Sequence, residues 1–258
     1  MIRTLLPLAL ALSLSIFTPS SAHAQGTSWR VLFDTVDQAL NKGAGYKNSN
    51  NASGTLAWGE SYIMMSYAAM FRATGAPRYL VSLADHALSV LDQRDNKKGL
   101  KDWAGKSRPC WQASKYSSNG KGYCWVVHSG ILAAPMADLV LLLAQNPSYQ
   151  KILLADGKTT LAQAAATVLA EVKKVVATHD YQYMSGPKTG EGYYRGDPAA
   201  TAVVPNVAGK ALPLNQMNTM GRTLVLLWKA TGATSYKTRA QALATYFKNR
   251  IKLKGSSY

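Results

Sequence analysis

Apolar residues recur at helical spacing along almost the whole chain, and no segment shows the two-residue alternation of a half-buried strand. Leu80, Leu83, Ala87, Leu88 and Leu91, for example, fall on one face of a helix. This pattern predicts an all-α fold. The predicted helices cover residues 28–41, 55–74, 77–93, 127–145, 160–178, 214–231 and 234–252.

A short sequence that separates two predicted helices occurs more than once. "ATGAPRY" at residues 73–79 returns as "ATGATSY" at residues 230–236, and a weaker copy, "AQNPSY", lies at residues 144–149. Each copy follows one apolar helix and precedes another, so the repeated unit is predicted to be an αα-hairpin. In the two stronger copies a glycine is expected to end the first helix, with a tyrosine packed at the turn.

The three turn tyrosines align the hairpins with one another. Positions 21 residues earlier (79 − 58 = 21) fall near the start of each first helix. They are Trp58, His128 and Asn215, with Glu60, Ser129 and Gln216 beside them. If the hairpins stack side by side, these side chains converge on one face, which we call the mouth face.

Two long loops, residues 94–126 and 179–213, lead into first helices and are therefore expected at the mouth face. They are rich in aromatic and cationic side chains, which disfavours disorder and favours a binding role. Aromatic rings stack on sugars and cations pair with carboxylates, so this composition suits an acidic polysaccharide. The candidate substrate contacts at the mouth face are Trp58, Glu60, Trp111, Lys115, Tyr116, Arg195 and Gln216.

The charge of the chain favours the same partner. Lysine and arginine number 29 against 13 acidic residues, which gives a formal net charge of +16. Such an excess favours nucleic acid, membrane headgroups or acidic polysaccharide, with general surface basicity as the alternative. The basic residues do not form the blocks of a nucleic-acid-binding tail, and we expect neither nucleic acid binding nor membrane insertion.

The N-terminus has the features of a secretory signal peptide. Residues 1–24 contain an early arginine, an apolar run and a small-residue pattern before Gln25. We therefore expect one mature domain, residues 25–258, in the periplasm or secreted. In that oxidising setting Cys110 and Cys124 are predicted to form a disulfide. Two cysteines offer too few ligands for a metal site, and we expect no cofactor.

The stretches "WQASKYS", "VVHSGILAAP" and "NQMNTMGRTLVLLWKATGATSYKTRAQALATYF" belong to hairpins with polar residues at the starts of their first helices. In this they resemble the (α/α)-toroid proteins that act on uronic-acid polysaccharides, which include toroid polysaccharide lyases and the C-terminal domain of glucuronyl C5-epimerases. The likeness covers most of residues 55–253. Such toroids close with more hairpins than the three recognisable here, so we expect an incomplete or open toroid in a truncated chain.

The resemblance implies cleavage by β-elimination. A lyase of this type removes the proton next to a uronate carboxylate and expels the 4-linked oxygen. This requires a group that neutralises the carboxylate, a base and an acid. His128 is the first candidate, as base or as hydrogen-bonding neutraliser. Asn215 is the catalytic candidate for holding the carboxylate, and Tyr193 or Tyr194 for proton transfer.

Other interpretations of the same residues stay open. A histidine at a helix start also serves as a cap, and Pro135 predicts a helix that kinks or begins near it, with His128 in an extended lead-in. Asn215 after Pro213 also suits a helix cap. The alternative functions are a uronate C5-epimerase, a toroid glycoside hydrolase with Glu60 as acid, and a non-catalytic glycan-binding or scaffold protein.

Overall fold

A computed structural model describes residues 22–251, with side chains from Trp29 onward. Its regular elements are mostly helices, as the apolar pattern predicts. They are α1 Ala22–Ala39, α2 Ser61–Thr74, α3 Arg78–Leu91, α4 Asp95–Lys98, α5 Val126–Gln145, α6 Leu161–Thr178, α7 Leu214–Thr231 and α8 Thr234–Lys248, with strands β1 Tyr183–Ser185 and β2 Gly192–Tyr194. The predicted signal peptide lies outside the described residues except for its last three positions, which begin α1.

All seven predicted helices are present. A π-helical turn, Leu56–Glu60, precedes α2 and accounts for its earlier predicted start. Two small elements were not predicted, namely α4 and the antiparallel ribbon of β1 and β2, in which Tyr183 pairs with Tyr194. Strands of three residues are too short for an alternating pattern to reveal them.

Three αα-hairpins form the body of the structure: α2 with α3, α5 with α6, and α7 with α8. The first helices are neighbours, with α5 in contact with both α2 and α7. Helices α2 and α5 run parallel, because Trp58 meets His128 near one end and Arg72 pairs with Asp138 further along both. The mouth face is therefore the end where these helices begin.

The turns at the opposite end have the predicted chemistry. Gly75 and Gly232 end α2 and α7 with left-handed φ angles of 65° and 72°. Their N–H groups donate to the carbonyls of Phe71 and Trp228, one turn back. The hydroxyl of Tyr149 donates to the carbonyl of Gly75 at 3.1 Å and so ties the second hairpin to the first.

Helix α5 is central and almost wholly buried. It is long and apolar enough to cross a membrane, yet 89% of its most apolar stretch is buried inside the structure, as in a core helix. The helix continues through Pro135 and begins at Val126. His128 therefore lies in the first helical turn, and the alternative of an extended lead-in is wrong.

Both long loops pack on each other at the mouth face. A second apolar cluster joins Tyr123 and Trp125 of the first loop to Val203 of the second. The hydroxyl of Tyr123 accepts hydrogen bonds from Gln182 Nε2 at 3.0 Å and from the N–H of Asp197 at 2.9 Å. Burial raises the pKa of Tyr123 to about 12, so this hydroxyl stays neutral.

The most extensive helix contact joins α5 to α7. At Gly130 the two helices are so close that a Cβ atom would lie 2.5 Å from the backbone nitrogen of Met220. Thr219 and Thr223 of α7 donate side-chain hydrogen bonds to the carbonyls of Val127 and Gly130, at 3.3 and 2.8 Å. These bonds fix the register between the helices.

We expect Gly130→Ala to lower the free energy of unfolding by about 2 kcal/mol, because the added methyl group would meet backbone atoms that cannot move aside. Gly221→Ala on α7 is the matched control, since its Cβ would meet nothing closer than Leu243 Cδ1 at 3.6 Å. The control removes a helix glycine and is expected to stabilise by up to about 1 kcal/mol. Urea denaturation measures both, and equal effects would contradict the close approach at Gly130.

Candidate functional site

His128, in the first turn of α5, lies in a cage of aromatic rings. Its ring centroid is 5.3 Å from that of Trp58, 5.5 Å from that of Tyr116 and 6.4 Å from that of Trp125. His128 is 1% exposed, whereas Trp58 and Tyr116 are 41% and 42% exposed. We call these four residues the aromatic cage. Of the predicted site residues, the structure therefore brings Trp58, Tyr116 and His128 together.

Asn51 determines which nitrogen of the His128 ring carries the proton. Its Oδ1 atom accepts the N–H of Ala57 at 3.1 Å, so its Nδ2 atom must be the donor to the Trp111 carbonyl at 2.9 Å and to His128 Nδ1 at 3.1 Å. Because Nδ1 accepts, the proton of the neutral ring lies on Nε2. No hydrogen bond joins Nε2 to another described residue, so this N–H is an unused donor, although the ring is only 1% exposed.

Burial lowers the pKa of His128 to about 4, because the surrounding rings cannot solvate an imidazolium. The ring is therefore neutral at pH 7, and it acts as a hydrogen-bond donor rather than as a cation. The unfolded chain takes up the proton first as the pH falls. The stability that His128 contributes is thus present above its unfolded pKa of about 6.5 and lost as the pH falls towards about 4.

A tight turn before α2 brings the exposed rings of the cage together. Gly54 has a φ of 84°, and a Cβ atom on it would lie 2.6 Å from Trp58 Cδ1 and 2.9 Å from the hydroxyl of Tyr116. That hydroxyl donates to the carbonyl of Ser53 at 3.1 Å. A side chain at position 54 would therefore separate the two rings, and glycine is required there.

A buried chain of hydrogen bonds holds Ser129, the residue next to His128, and we call this chain the relay. Ser129 Oγ donates to His179 Nε2 at 2.8 Å, and His179 Nδ1 donates to Gln182 Oε1 at 2.6 Å. Burial lowers the pKa of His179 to about 4. The order hydroxyl, imidazole, amide resembles that of an activated nucleophile, but both Ser129 and His179 are fully buried. The relay anchors α5 to the second loop.

Glu60 is predicted at the mouth but lies inside the structure. It is fully buried, and its Oε1 atom is 2.5 Å from Nδ1 of His86, which is 2% exposed. Its Oε2 atom accepts the N–H of Tyr46 at 2.7 Å. Both carboxylate oxygens are therefore occupied by partners within the protein.

Trp111 and Lys115 flank the cage in different ways. Trp111 is buried, and its Nε1 atom donates to the carbonyl of Val90 at 2.8 Å while its own carbonyl holds Asn51. Trp111 therefore stabilises the cage through Asn51 and is not itself exposed to a ligand. Lys115 is exposed beside Tyr116, where its side chain is free to meet a ligand.

Tyr193, Tyr194 and Arg195 lie near α7 and α8 rather than in the cage. Tyr193 stacks on Tyr246 of α8, with ring centroids 5.0 Å apart. Tyr194 is fully buried, its N–H meets the sulfur of Met217, and burial raises its pKa. Arg195 is half-buried. The proton-transfer roles predicted for the two tyrosines therefore lack a contact with His128.

Asn215 and Gln216 also lie outside the cage. Asn215 is exposed and lines a groove of about 370 Å³ with Tyr62, Ile131 and Arg222. The Oε1 atom of Gln216 is buried and has no hydrogen-bond partner among the described residues. The shared 21-residue register thus brings Trp58 to His128, but it does not bring Asn215 there.

A second cavity at the mouth face, of about 540 Å³, was not predicted. We call it the amide pocket. Besides Asp95 and Ser114, its polar lining includes five amide side chains and two ammonium groups, those of Asn48, Asn50, Asn51, Gln93, Gln112, Lys98 and Lys101. The run "KNSNNAS" before α2 is the sequence signal for it, but the two glutamines and the lysines come from a different loop.

Cys110 and Cys124 lie at disulfide distance, with Cα atoms 6.2 Å apart. The predicted proximity is confirmed, and the pair is compatible with an oxidising compartment. Asp95 lies beside them, and the three potential ligand atoms are within 4.8 Å of one another. Sulfur atoms bonded to each other carry no thiolate, so these three residues do not form a metal site.

Comparisons with models of protein families, with curated proteins and with solved structures find no match to this chain.

We expect Asn51→Asp to raise the pKa of His128 well above about 4 and to move its neutral-state proton from Nε2 to Nδ1, because a carboxylate oxygen accepts where the amide donated. Asn50→Asp is the matched control, since its side chain bonds to the N–H of Ala52 rather than to the ring. Nitrogen NMR of the histidine rings across a pH titration measures both quantities. An equal shift in the two variants would contradict the assigned hydrogen bond.

We expect replacement of both Cys110 and Cys124 by serine to lower the free energy of unfolding by about 3 kcal/mol, as for other closed loops of this length. Urea denaturation measures the loss. Reducing agent is the control: it is expected to destabilise the wild type by a similar amount and to leave the double variant unchanged. A wild type indifferent to reductant, with a variant of equal stability, would contradict the bond.

Proposed function

We propose that this chain is an exported protein with an incomplete or open (α/α) toroid, whose mouth face binds a uronate-containing polysaccharide and cleaves it by β-elimination. The observation that carries the proposal is the free Nε2–H of a neutral His128 between exposed aromatic rings. The neighbouring first helices of three hairpins support the toroid. Export to the periplasm or the exterior is supported by the leader sequence and by the cysteine pair.

The surface of the first loop supports an anionic ligand. Between residues 92 and 125 the exposed charged side chains are six lysines and one acid, Asp92, whereas Asp95 and Asp102 are buried. The lysines are Lys97, Lys98, Lys101, Lys106, Lys115 and Lys121. An anionic polymer gains from such an array, because it meets several cations at once and the local potential raises its concentration.

The cage supports sugar binding in particular. Trp58 and Tyr116 each present a partly exposed ring whose other edge packs on His128. Such rings pack against the C–H faces of pyranose units. A rigid aromatic also costs less side-chain entropy on binding than a flexible side chain does.

In the proposed reaction His128 binds the carboxylate of the substrate through a hydrogen bond. Its Nε2–H donates to the uronate carboxylate, which stabilises the charge that develops when the neighbouring C5 proton is removed. The electron pair of the C–H bond forms the C4–C5 double bond, the C4–O bond breaks, and the leaving oxygen takes a proton. We assign both proton transfers to Tyr116, because its ring contacts His128, and not to Tyr193 or Tyr194. Its hydroxyl oxygen takes the C5 proton while its own proton passes to the leaving oxygen, so the hydroxyl is restored.

Access to His128 requires movement of the cage. The histidine is 1% exposed, so a carboxylate reaches Nε2 only when the Trp58 and Tyr116 rings move apart. This burial favours a second candidate, a non-catalytic protein that binds the glycan on the outer faces of the same rings. A uronate C5-epimerase would use the same groups and return the proton to the opposite face.

A glycoside hydrolase fits the geometry less well. Hydrolysis needs two carboxyl groups across the scissile bond. Glu60 is buried against His86, and the side chain of Glu191 is buried against Arg250, with the guanidinium at 3.1 Å. Neither carboxylate faces the cage.

We expect the wild type to release products with the ultraviolet absorbance of an unsaturated uronide from alginate, glucuronan or a heparin-like chain. His128→Ala is expected to lower kcat about 100-fold or more, as for loss of one oxyanion donor. Tyr116→Phe is expected to lower it by a similar factor, as for loss of an acid or base. The matched control is Tyr181→Phe, since Tyr181 is equally exposed at 42% and lies outside the cage.

Each outcome separates the candidate functions. Binding of these glycans without formation of an ultraviolet-absorbing product would contradict β-elimination and favour the non-catalytic glycan-binding protein. Exchange of the C5 proton with solvent deuterium, without cleavage, would identify an epimerase. Full activity of His128→Ala would remove the histidine from the mechanism.

A further inference from the structure

The amide pocket lies beside the aromatic cage and shares a wall with it. Asn51 lines the pocket, while its Nδ2 atom holds the histidine of the cage. Ala52 also lines the pocket, and its carbonyl accepts the N–H of Ser114 at 3.0 Å. Tyr116 follows in the same loop and donates to the next carbonyl, that of Ser53. A ligand that leaves the pocket over this short segment therefore meets the exposed rings of the cage.

The size of the pocket suits one sugar unit. Its volume of about 540 Å³ falls within the range of about 300 to 1,000 Å³ that is typical of small-ligand sites. Its lining is mixed, since Leu100, which is 43% exposed, and Ala52 add apolar surface beside the amides. A pyranose ring has the same mixed character, since its hydroxyl groups surround C–H faces.

One wall atom lacks a partner. Gln112 Oε1 is buried and accepts no hydrogen bond from the described residues. The side chain occupies the space left by Gly122, where a Cβ atom would lie 1.6 Å from Oε1. A buried acceptor without a donor costs free energy until a ligand supplies one. A sugar hydroxyl is such a donor, and it reaches Oε1 when the Gln112 amide turns out of the space beside Gly122 towards the pocket.

The charges of the wall favour an anionic unit. Lys98 and Lys101 are exposed at its rim and carry two positive charges. Asp95 is 1% exposed and accepts the N–H of Gln112 at 3.2 Å. Burial raises the pKa of Asp95 to about 7, so its negative charge near neutrality is only partial. The net charge of the pocket is therefore positive.

We propose that the amide pocket is a subsite that binds one uronate unit of the polysaccharide, next to the unit held in the aromatic cage. Lys98 and Lys101 pair with its carboxylate, and the amides of Gln93 and Gln112 bind its hydroxyl groups. The inference rests on the proposed function, because both sites take the same anionic chain. In this proposal the amide pocket determines which sugar unit binds, and the aromatic cage contains the groups that take part in the reaction.

Calorimetric titration of the full-length chain with a glucuronan tetrasaccharide tests the subsite, with cellotetraose as the neutral analogue. Binding is measured in a His128→Ala background and again in a Tyr116→Phe background, so that the ligand is not consumed and one misfolded background does not decide the result. In each, Lys98→Ala/Lys101→Ala is compared with Lys151→Ala/Lys158→Ala, a pair outside the first loop. The second pair removes the same charge from exposed lysines that do not line the pocket.

We expect the pocket pair to weaken tetrasaccharide binding about tenfold or more, because it removes charge-assisted hydrogen bonds. The control pair is expected to weaken it no more than about twofold, since exposed charges away from the ligand are screened. Gln112→Leu is expected to weaken binding as well, by removal of the acceptor. Equal losses in both lysine pairs, or equal binding of cellotetraose, would overturn the subsite.

The two proposals fail in different ways. Selective binding that depends on Lys98 and Lys101, without ultraviolet product from the wild type, would support the subsite and overturn β-elimination. Product formation by a pocket variant whose binding and turnover equal those of the wild type would overturn the subsite and leave the reaction in place. Absence of binding to any uronate chain would overturn both.

Discussion

The close contact between α5 and α7 determines where the functional groups of the mouth face lie. Gly130 lets the two helices approach to backbone distance, and Thr219 and Thr223 then bond to carbonyl groups of α5. Sliding or rotation of α5 would break these bonds and leave buried polar groups unpaired. The first turn of α5 is therefore held in place, and with it the His128 ring between Trp58 and Tyr116.

The polar groups that surround His128 are neutral, whereas the lysines of the neighbouring loop are exposed. The interior holds Asn51, His128, Ser129 and His179 as neutral groups linked by hydrogen bonds, since an amide rather than a carboxylate faces the His128 ring. A buried charge would cost several kcal/mol in this setting. The six lysines of the first loop are exposed, where water solvates their charges. A ligand thus meets charge first and neutral hydrogen-bond donors afterwards.

The helices and hairpin turns were predictable because their signals are local. Apolar stripes and the glycines at positions 75 and 232 mark them directly in the sequence. The contact of Trp58 with His128 also followed from the repeat, because equivalent positions of adjacent parallel helices come together. Asn215 faces a different groove, since the rotation of α7 about its axis depends on its packing at Gly130, which no local pattern encodes.

The loops were predicted in composition but not in geometry. The backbone N–H of Tyr194 meets the sulfur of Met217 on α7, and the amide pocket forms where the run before α2 meets Gln93 and Gln112. Such contacts join segments far apart in the chain, and sequence spacing does not report them. The wall residues of the pocket therefore look like unrelated loop positions until the chain is folded.

The two ends of the hairpins differ in the freedom they leave for sequence change. At the end opposite the mouth face, the turns are short and the Tyr149 hydroxyl is bonded to the Gly75 carbonyl. An insertion there would therefore displace helices. At the mouth face, long loops carry the exposed lysines and most of the amides, and loop length alters stability only slowly. Changes confined to these loops could therefore alter the proposed binding specificity of the mouth face, while the helical body stays unchanged.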